Sequence, residues 1–268
     1  MKGKFITLTT DYGNSSFYIG ILKGVLYSNI ENVEIIDITH DIPLYNIYIA
    51  AFIFKNSYEY FPKGTIHILD VYGEHSVNNN YLLLKHKGYY FLCADNGLAS
   101  LIFDDGIDEI YKINTTQEQI DSNFKTKDIL LKIAIKIANN QNIDKNVTKI
   151  KEFTIALNKI NPPTINDNKS LVGSVVYIDN NYNAIINITK EKFLEFTKNK
   201  NFNISFNSIS STTKISKNYI DNEANQYADI KILFGSTHNL MEIAIPNTNA
   251  APLLGLKIGS TILINLLD

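Results

Sequence analysis

Over residues 1–160, short apolar runs alternate with longer stretches of helical spacing. Phe5–Thr9, Val33–Thr39, Thr65–Val71 and Glu109–Ile113 are β-rich runs. Tyr81–His86 and Tyr89–Cys93 flank Lys87-Gly88, the pattern of a hairpin. Between these runs, Phe17–Ile30 has helix-compatible spacing, with Ser15 or Ser16 as N-cap. Asn46–Tyr60 reads as a mostly buried helix, Gly97–Phe103 as a short one, and Lys127–Asn139 carries Ile129, Ile133 and Ile137 on one stripe. Pro62-Lys63-Gly64 is a turn. Such alternation predicts an α/β fold: a mostly parallel sheet with helices on its faces.

Beyond residue 160 the pattern changes. Asn161-Pro162-Pro163-Thr164, followed by Asn166-Asp167-Asn168, is poor material for a packed element and predicts a linker over 161–169. Leu171–Asp179, Ala184–Ile188, Phe202–Asn207, Lys231–Phe234, Leu240–Pro246 and Thr261–Leu266 are short β-like segments with few helix signals between them. The expectation is an N-terminal α/β domain over 1–160 and a smaller all-β, barrel-like domain over 170–268. The Asn/Lys-rich stretch Lys198–Asn203 reads as a solvated loop.

Composition narrows the functional classes. With 268 residues, 45% of them hydrophobic, the chain can bury one large core or two modest ones. A net charge of -2 gives no positive field to attract nucleic acid or a membrane surface. No apolar run approaches the ~20 residues of a membrane helix, and the N-terminal residues do not form a signal peptide, so a cytoplasmic protein is expected. The one cysteine, Cys93, lies in an apolar run, which excludes an intrachain disulfide or a CxxC metal site. Every basic residue is lysine, so a single-chain or homomeric site has no bidentate guanidinium clamp.

Candidate chemistry gathers where strands end. In α/β proteins the ligand lies past the carboxyl ends of the parallel strands. There the chain places Thr9-Thr10-Asp11-Tyr12-Gly13, Asp37-Ile38-Thr39-His40, Asp70-Val71-Tyr72-Gly73-Glu74-His75 and Ala94-Asp95-Asn96-Gly97. Such a rim suits a hydroxylated, cationic or amino-bearing ligand better than a free phosphate. Asp11 could equally cap a helix, His40 could be structural, and Gly97 fits an ordinary Asn-Gly turn. Asp70 is the acid most readily placed at a reacting centre, with His75 and Glu74 close in sequence. Tyr45 offers a ring to cover a flat ligand.

The β segments add Asp179-Asn180-Asn181-Tyr182-Asn183, Tyr227-Ala228-Asp229, Gly235-Ser236-Thr237 and Asn247-Thr248-Asn249-Ala250-Ala251. An aromatic with amides suits a purine, although each run could also be a β-turn. GxxxxGK[ST] and GxGxxG are absent, which argues against a P-loop or Rossmann phosphate cradle. GxSxG and HExxH are absent as well.

In this order, the clusters resemble the S-adenosyl-L-methionine (SAM) hydroxide adenosyltransferases, adenosine-forming SAM hydrolases related to the fluorinases and chlorinases. The most specific marks are Leu8-Thr9-Thr10-Asp11-Tyr12-Gly13, Asp37-Ile38-Thr39-His40, Phe61-Pro62-Lys63-Gly64-Thr65, Asp95-Asn96-Gly97-Leu98, and Leu240-Met241-Glu242-Ile243-Ala244 with Asn249-Ala250-Ala251. The resemblance implies a homotrimer that holds a small-molecule nucleoside substrate, SAM, between neighbouring subunits. It implies that Asp11 binds the ribose hydroxyls and that Tyr45 forms an aromatic wall. Asp179 and Asn183 would meet the methionine portion, Tyr227 the nucleoside, Ser236 the methionine carboxylate, and Asn249 and Ala250 the adenine edge. Asn96 and Glu242 join this substrate-binding set.

The implied chemistry is displacement at ribose C5′ by water or hydroxide, with methionine leaving as a neutral thioether. Neither a metal nor a cofactor is expected. The family handles its nucleophile with an Asp, an Arg and a His, and here the sequence departs. Asp70 stands at the aspartate position, but the family's Pro-Gly-Val-Gly after it reads Val71-Tyr72-Gly73-Glu74, and Val77 lies near the arginine position. Phe-His-Gly-Arg-Asp reads Phe124-Lys125-Thr126-Lys127-Asp128, and the Asp179 run lacks the family's Phe-Gly before its asparagine. Either Lys125 or His75 takes over beside Asp70, or the site binds SAM or adenosine with little turnover. Halogenase chemistry is disfavoured, because ionised Asp70 would oppose chloride by about 4 kcal/mol at ~4 Å in an effective dielectric near ~20.

Overall fold

A computed structural model describes residues 3–74, 76, 78, 80–103, 106–157, 162–167, 169–206, 210–219 and 229–267. The chain divides into two compact units, Met1–Lys159 and Ile160–Asp268. No helix among the described residues is long and apolar enough to cross a membrane.

The first unit is α/β. Its strands are β1 (Lys4–Thr10), β2 (Val33–Thr39), β3 (Ile66–Asp70), β4 (Tyr81–His86), β5 (Tyr89–Ala94), β6 (Glu109–Ile113) and β7 (Val147–Lys149). They form one sheet in the order β2-β1-β3-β5-β4-β6-β7. The alternating pattern is realised in β2, β1, β3 and β5, which pair in parallel; β4, β6 and β7 continue antiparallel, making the sheet mixed. The β4–β5 hairpin turns at Lys87 and Gly88, whose φ angles of 50° and 82° are those of a tight primed turn.

Helix α1 (Phe17–Asn29) follows β1, α2 (Ile47–Lys55) follows β2, and α3 (Leu98–Ile102) follows β5. Asn46 caps α2 by accepting from the Ile49 N–H at 3.0 Å. The helix expected over 46–60 stops at Lys55, and Tyr58–Tyr60 makes a separate tight turn. A short α4 (Gln117–Ile120), which the sequence pattern did not signal, closes on a capping box from Thr116 and Gln119. Next, Thr126–Leu130 is a π-helical turn that runs directly into α5 (Leu131–Ala138).

Strand alternation sorts the core. Ile6, Leu8, Ile66, Ile68 and Leu92 face Leu22 and Leu26 of α1 and Ile133 of α5. The intervening residues His67 and Phe91 stack on the other face, with Phe54 of α2 edge-on to both.

The second unit is all-β with two short helices. Its strands are β8 (Thr164–Asn166), β9 (Ser170–Ile178), β10 (Ala184–Thr189), β11 (Phe202–Phe206), β12 (Ser210–Thr212), β13 (Lys231–Phe234), β14 (Leu240–Ala244) and β15 (Thr261–Leu266). They run β12-β11-β15-β9-β10-β14-β13, with β8 added beside β9. Thr164–Asn166 therefore forms a strand inside the stretch expected to be a linker. Helix α6 (Lys190–Thr197) follows β10, and α7 (Ala250–Leu253) precedes β15. Phe206, Ile186, Ile204, Met241, Ile243 and Ile262 fill the core. Phe202 and Asn203, where the expected β-like segment 202–207 overlaps the expected loop 198–203, begin β11.

Candidate active site

Parallel register sets the geometry of the first site. Thr10 on β1 lies opposite Asp70 on β3, so Asp11 and Asp70 leave adjacent strands at the same rim. Both are buried. Together with Tyr12, Leu44, Tyr45, Tyr72, Gly73, Glu74 and Phe124 they line an open cleft of about 490 Å³, a size that suits a small-molecule ligand.

Asp11 is fixed through one oxygen. Its Oδ2 accepts the backbone N–H of Tyr45 at 3.0 Å and that of Tyr72 at 3.2 Å. Both donors have left-handed backbones, with φ 65° and 55°, a conformation that costs a non-glycine residue free energy. Their rings meet edge-on, centroids 5.2 Å apart. Tyr72 stands where the family pattern has glycine, so this chain bears the strain and gains a second ring on the cleft wall.

Asp70 is fixed through its own Oδ2, which accepts the hydroxyls of Tyr12 and Thr126. Those hydroxyls lie 3.2 Å from each other. Burial pushes the Asp70 carboxyl up to about 6, opposed by the two hydroxyl donors and reinforced by the charges of Asp11 and Glu74. Burial and the nearby Asp70 raise the Tyr12 phenol, so it stays protonated and donates. A carboxylate near neutrality is matched to general-base work at physiological pH.

Thr126 reaches Asp70 from the π turn, a distortion that often marks functional positions. Its neighbour Lys125 does not touch Asp70. The Lys125 ammonium pairs with Glu74 at 2.5 Å. His75 lies outside the described residues.

Asn96 sits behind the cleft. Its Nδ2 donates to the carbonyls of Val71 at 3.0 Å and Tyr72 at 3.1 Å, and its Oδ1 accepts the Leu98 N–H at 3.1 Å. Its amide thus staples the segment after β3 to the start of α3. Asp95 accepts the Thr154 N–H at 2.8 Å. His40 is buried, with Nδ1 2.8 Å from the Thr10 hydroxyl and Nε2 3.1 Å from Asp37.

The second unit has its own polar cleft of about 540 Å³, lined by Asn180, Tyr182, Asn183, Tyr219, Asn247 and Asn249 among others. Asp179 shapes one rim. Its Oδ1 accepts the N–H groups of Asn181 and Asn183, at 2.9 and 2.8 Å, and its Oδ2 accepts the Asn183 amide at 3.0 Å. Asn249 begins α7 with no capping bond from its side chain, while Ala250 is fully buried beneath. Glu242 is also buried and accepts the Tyr219 hydroxyl at 2.6 Å. Burial raises the Glu242 carboxyl, and the charge of Asp179 adds to the effect. Ser236 is exposed in the turn after β13, and Tyr227 lies outside the described residues.

Of the residues expected from the sequence, Asp11, Tyr45 and Asp70 line the first cleft and Asn183 and Asn249 the second. The sequence carries no signal for Tyr12 and Tyr72 on the first cleft wall, for Thr126 as a hydroxyl partner of Asp70, or for Tyr219 as the partner of Glu242. Tyr12 lies inside the Leu8–Gly13 motif, but nothing local in the sequence signals that its hydroxyl reaches a residue on β3.

A mixed α/β unit with carboxylates at its strand ends and an all-β unit with a polar cleft define a two-domain α/β plus β architecture. The family model of the SAM hydroxide adenosyltransferase N-terminal domain matches residues 6–147, and that of the C-terminal domain matches 173–263. The chain belongs to this family. It is 31% identical over 145 residues to the (R)-S-adenosyl-L-methionine hydrolase of Methanocaldococcus jannaschii, covering 52% of this chain and 55% of that protein. The match thus spans about half the length of that relative. A conserved protein from Thermotoga maritima shares the fold with a TM-score of 0.82 at 22% identity, over 97% of this chain and 99% of that one. A conserved protein from Thermus thermophilus does so with a TM-score of 0.72 at 16% identity, over 98% and 100%.

Proposed function

We propose that this protein hydrolyses SAM to adenosine and L-methionine by attack of water on ribose C5′. The observation that carries the reading is Asp70: a buried carboxyl near neutrality, held by two hydroxyls, in a cleft it shares with Asp11. The family membership and the name of the Methanocaldococcus relative support it. That name specifies the (R) epimer at sulfur, so this epimer is the first substrate to test.

The residues divide the work. Asp11 offers its Oδ1 to the ribose hydroxyls while Oδ2 is held by backbone. Tyr45 and Tyr72 wall the cleft, and their electron-rich faces suit a sulfonium cation, as do the nearby carboxylates of Asp11, Asp70 and Glu74. Because the leaving group is already cationic, no acid is needed to expel it. Catalysis is then a matter of stripping water of its bulk neighbours and aiming it along the C5′–S axis. In the second unit, Asn183, Asn249 and Glu242 are proposed to meet the amino-acid and purine ends of the substrate. We further propose a homotrimer whose subunits supply these groups to one another.

The test is direct. Purified protein is incubated with the (R) and (S) epimers of SAM, with and without chloride, and the products are chromatographed. Adenosine and methionine should appear in equal amounts, independent of chloride, and fall at least about 100-fold in Asp70→Asn. A protein whose melting temperature rises with SAM but which releases no adenosine above that variant would be a binder rather than a hydrolase. Light scattering of the eluted protein decides the trimer.

A further inference from the structure

The arginine and histidine of the family pattern are missing from this chain, yet Asp70 is not left alone. Two hydroxyls converge on its Oδ2, one from Tyr12 just past β1 and one from Thr126 on the π turn, 58 and 56 residues away in sequence. Asp70 Oδ1 has no hydrogen-bond partner among the described residues and packs against Gly73, where a Cβ would come within 1.7 Å of it. Lys125, the other candidate for the missing cation, is engaged by Glu74. The two oxygens of Asp70 are therefore unequal.

We propose that Tyr12 and Thr126 are positioning residues, which anchor Asp70 through Oδ2 and so leave Oδ1 as the atom that takes the proton of the attacking water. The inference rests on the hydrolase reading for its catalytic consequence, but not for the anchoring itself. In the reaction the water oxygen forms a bond to C5′ and the C5′–S bond breaks. Its electron pair neutralises the sulfonium, and methionine departs as a thioether. One water proton passes to Oδ1 and then to solvent; the other remains on the new 5′-hydroxyl.

Both donors favour the ionised carboxylate, which counters burial and the like charges of Asp11 and Glu74. The other titratable group that senses Asp70 is Tyr81, which burial pushes up to about 12 and which is therefore neutral. Hydroxyls that bond Oδ2 of the carboxylate must raise the proton affinity of Asp70 when removed, whereas hydroxyls that merely fill space beside it would leave it unchanged.

The experiment follows the Asp70 carboxyl by carbon NMR in aspartate-labelled protein, its resonance assigned by its loss in Asp70→Asn. Tyr12→Phe and Thr126→Val should each raise the titration midpoint by about one pH unit or more, since each removes a donor to the charged form. Thr126→Ser, which keeps the hydroxyl, should restore the wild-type midpoint. In the same variants the acidic limb of the kcat profile for adenosine release should move up by the same interval, with KM within about threefold of wild type. A midpoint unmoved in Tyr12→Phe overturns the proposal. Tyr12→Phe removes one oxygen and keeps the ring, so it decides the matter even where Thr126→Val fails to fold. If the wild type releases no adenosine, the hydrolase reading falls, and the NMR midpoints still decide the anchoring.

Discussion

Gly73 lies so close to Asp70 that a Cβ on it would sit 1.7 Å from Oδ1 and 2.9 Å from Cγ. The chain returns from β3 directly across its own acid, and only a residue without a side chain permits that. In Gly73→Ala either the Asp70 carboxyl or the backbone at residue 73 has to shift, and the expected result is a carboxyl displaced from its two hydroxyl anchors. Misplacement of a reacting group by about 1 Å costs on the order of 100-fold in rate. Gly73→Ala is expected to lose adenosine formation by that factor while losing less than about 2 kcal/mol of stability. Turnover and urea denaturation, run side by side, check both halves.

Asn96 provides a second test of how the loop after β3 is held. Asn96→Ala removes two donors to the carbonyls of Val71 and Tyr72 and one acceptor for Leu98. Loss of these buried partners should cost about 2–3 kcal/mol. Because Tyr72 also donates to Asp11, KM for SAM should rise more than kcat falls. Equal changes in the two constants would mean that Asn96 acts on the chemistry instead.

His67 makes folding depend on pH. It is fully buried among Phe54, Tyr58, Phe61, Tyr89 and Phe91, and burial pushes its imidazole down to about 3. The folded state therefore holds it neutral, whereas the unfolded chain takes up a proton near pH ~6.5. Its stabilising contribution is complete above that value and is lost progressively as pH falls towards 3. Between pH ~7 and pH ~5 the wild type should lose about 2 kcal/mol that His67→Phe does not lose. Chemical denaturation at the two pH values measures the difference.

Glu242 is the converse case. Burial raises its carboxyl, so ionisation above its folded-state midpoint opposes folding. Glu242→Gln keeps an acceptor for the Tyr219 hydroxyl and removes the buried charge. At neutral pH the variant should melt about 1–3 °C higher, from a gain of up to ~1 kcal/mol. It should also bind SAM more weakly if the carboxylate meets the substrate's ammonium group. A variant that melts lower would show that the charge is compensated in the folded unit.

Much of the scaffold is legible in the residue pattern, because β-branched runs and turn residues act locally. Val33–Thr39, Glu109–Ile113, Lys231–Phe234 and Thr261–Leu266 form strands over the same residues that the pattern marks. Short elements such as β7 and β8 were not legible, since three-residue strands owe their stability to partners far along the chain. Helix α6 went unread because its apolar face is narrow; its start, where the Thr189 hydroxyl accepts from the Lys192 N–H at 3.1 Å, was the available signal. In the site, Asp11 and Asp70 were legible as strand-end acids. Their partners were not, because a hydroxyl on the loop after β1 and another on a π turn meet only after the sheet has set its register. Asn96, expected to face a ligand, donates its amide to two backbone carbonyls and accepts one backbone N–H, contacts that form only once the segment after β3 has folded against α3.

The π turn has a consequence for how this site could be dismantled. The N–H of Leu131 reaches back five residues to the Thr126 carbonyl instead of four. One residue too many is accommodated there, and each residue of a regular helix turns the chain by about 100°. Deleting a single residue between 127 and 130 would let the spiral regularise and would swing the Thr126 oxygen round to another side of the rod. A length change of one, with every side chain of the cleft intact, would then be enough to unhook the acid from its tether.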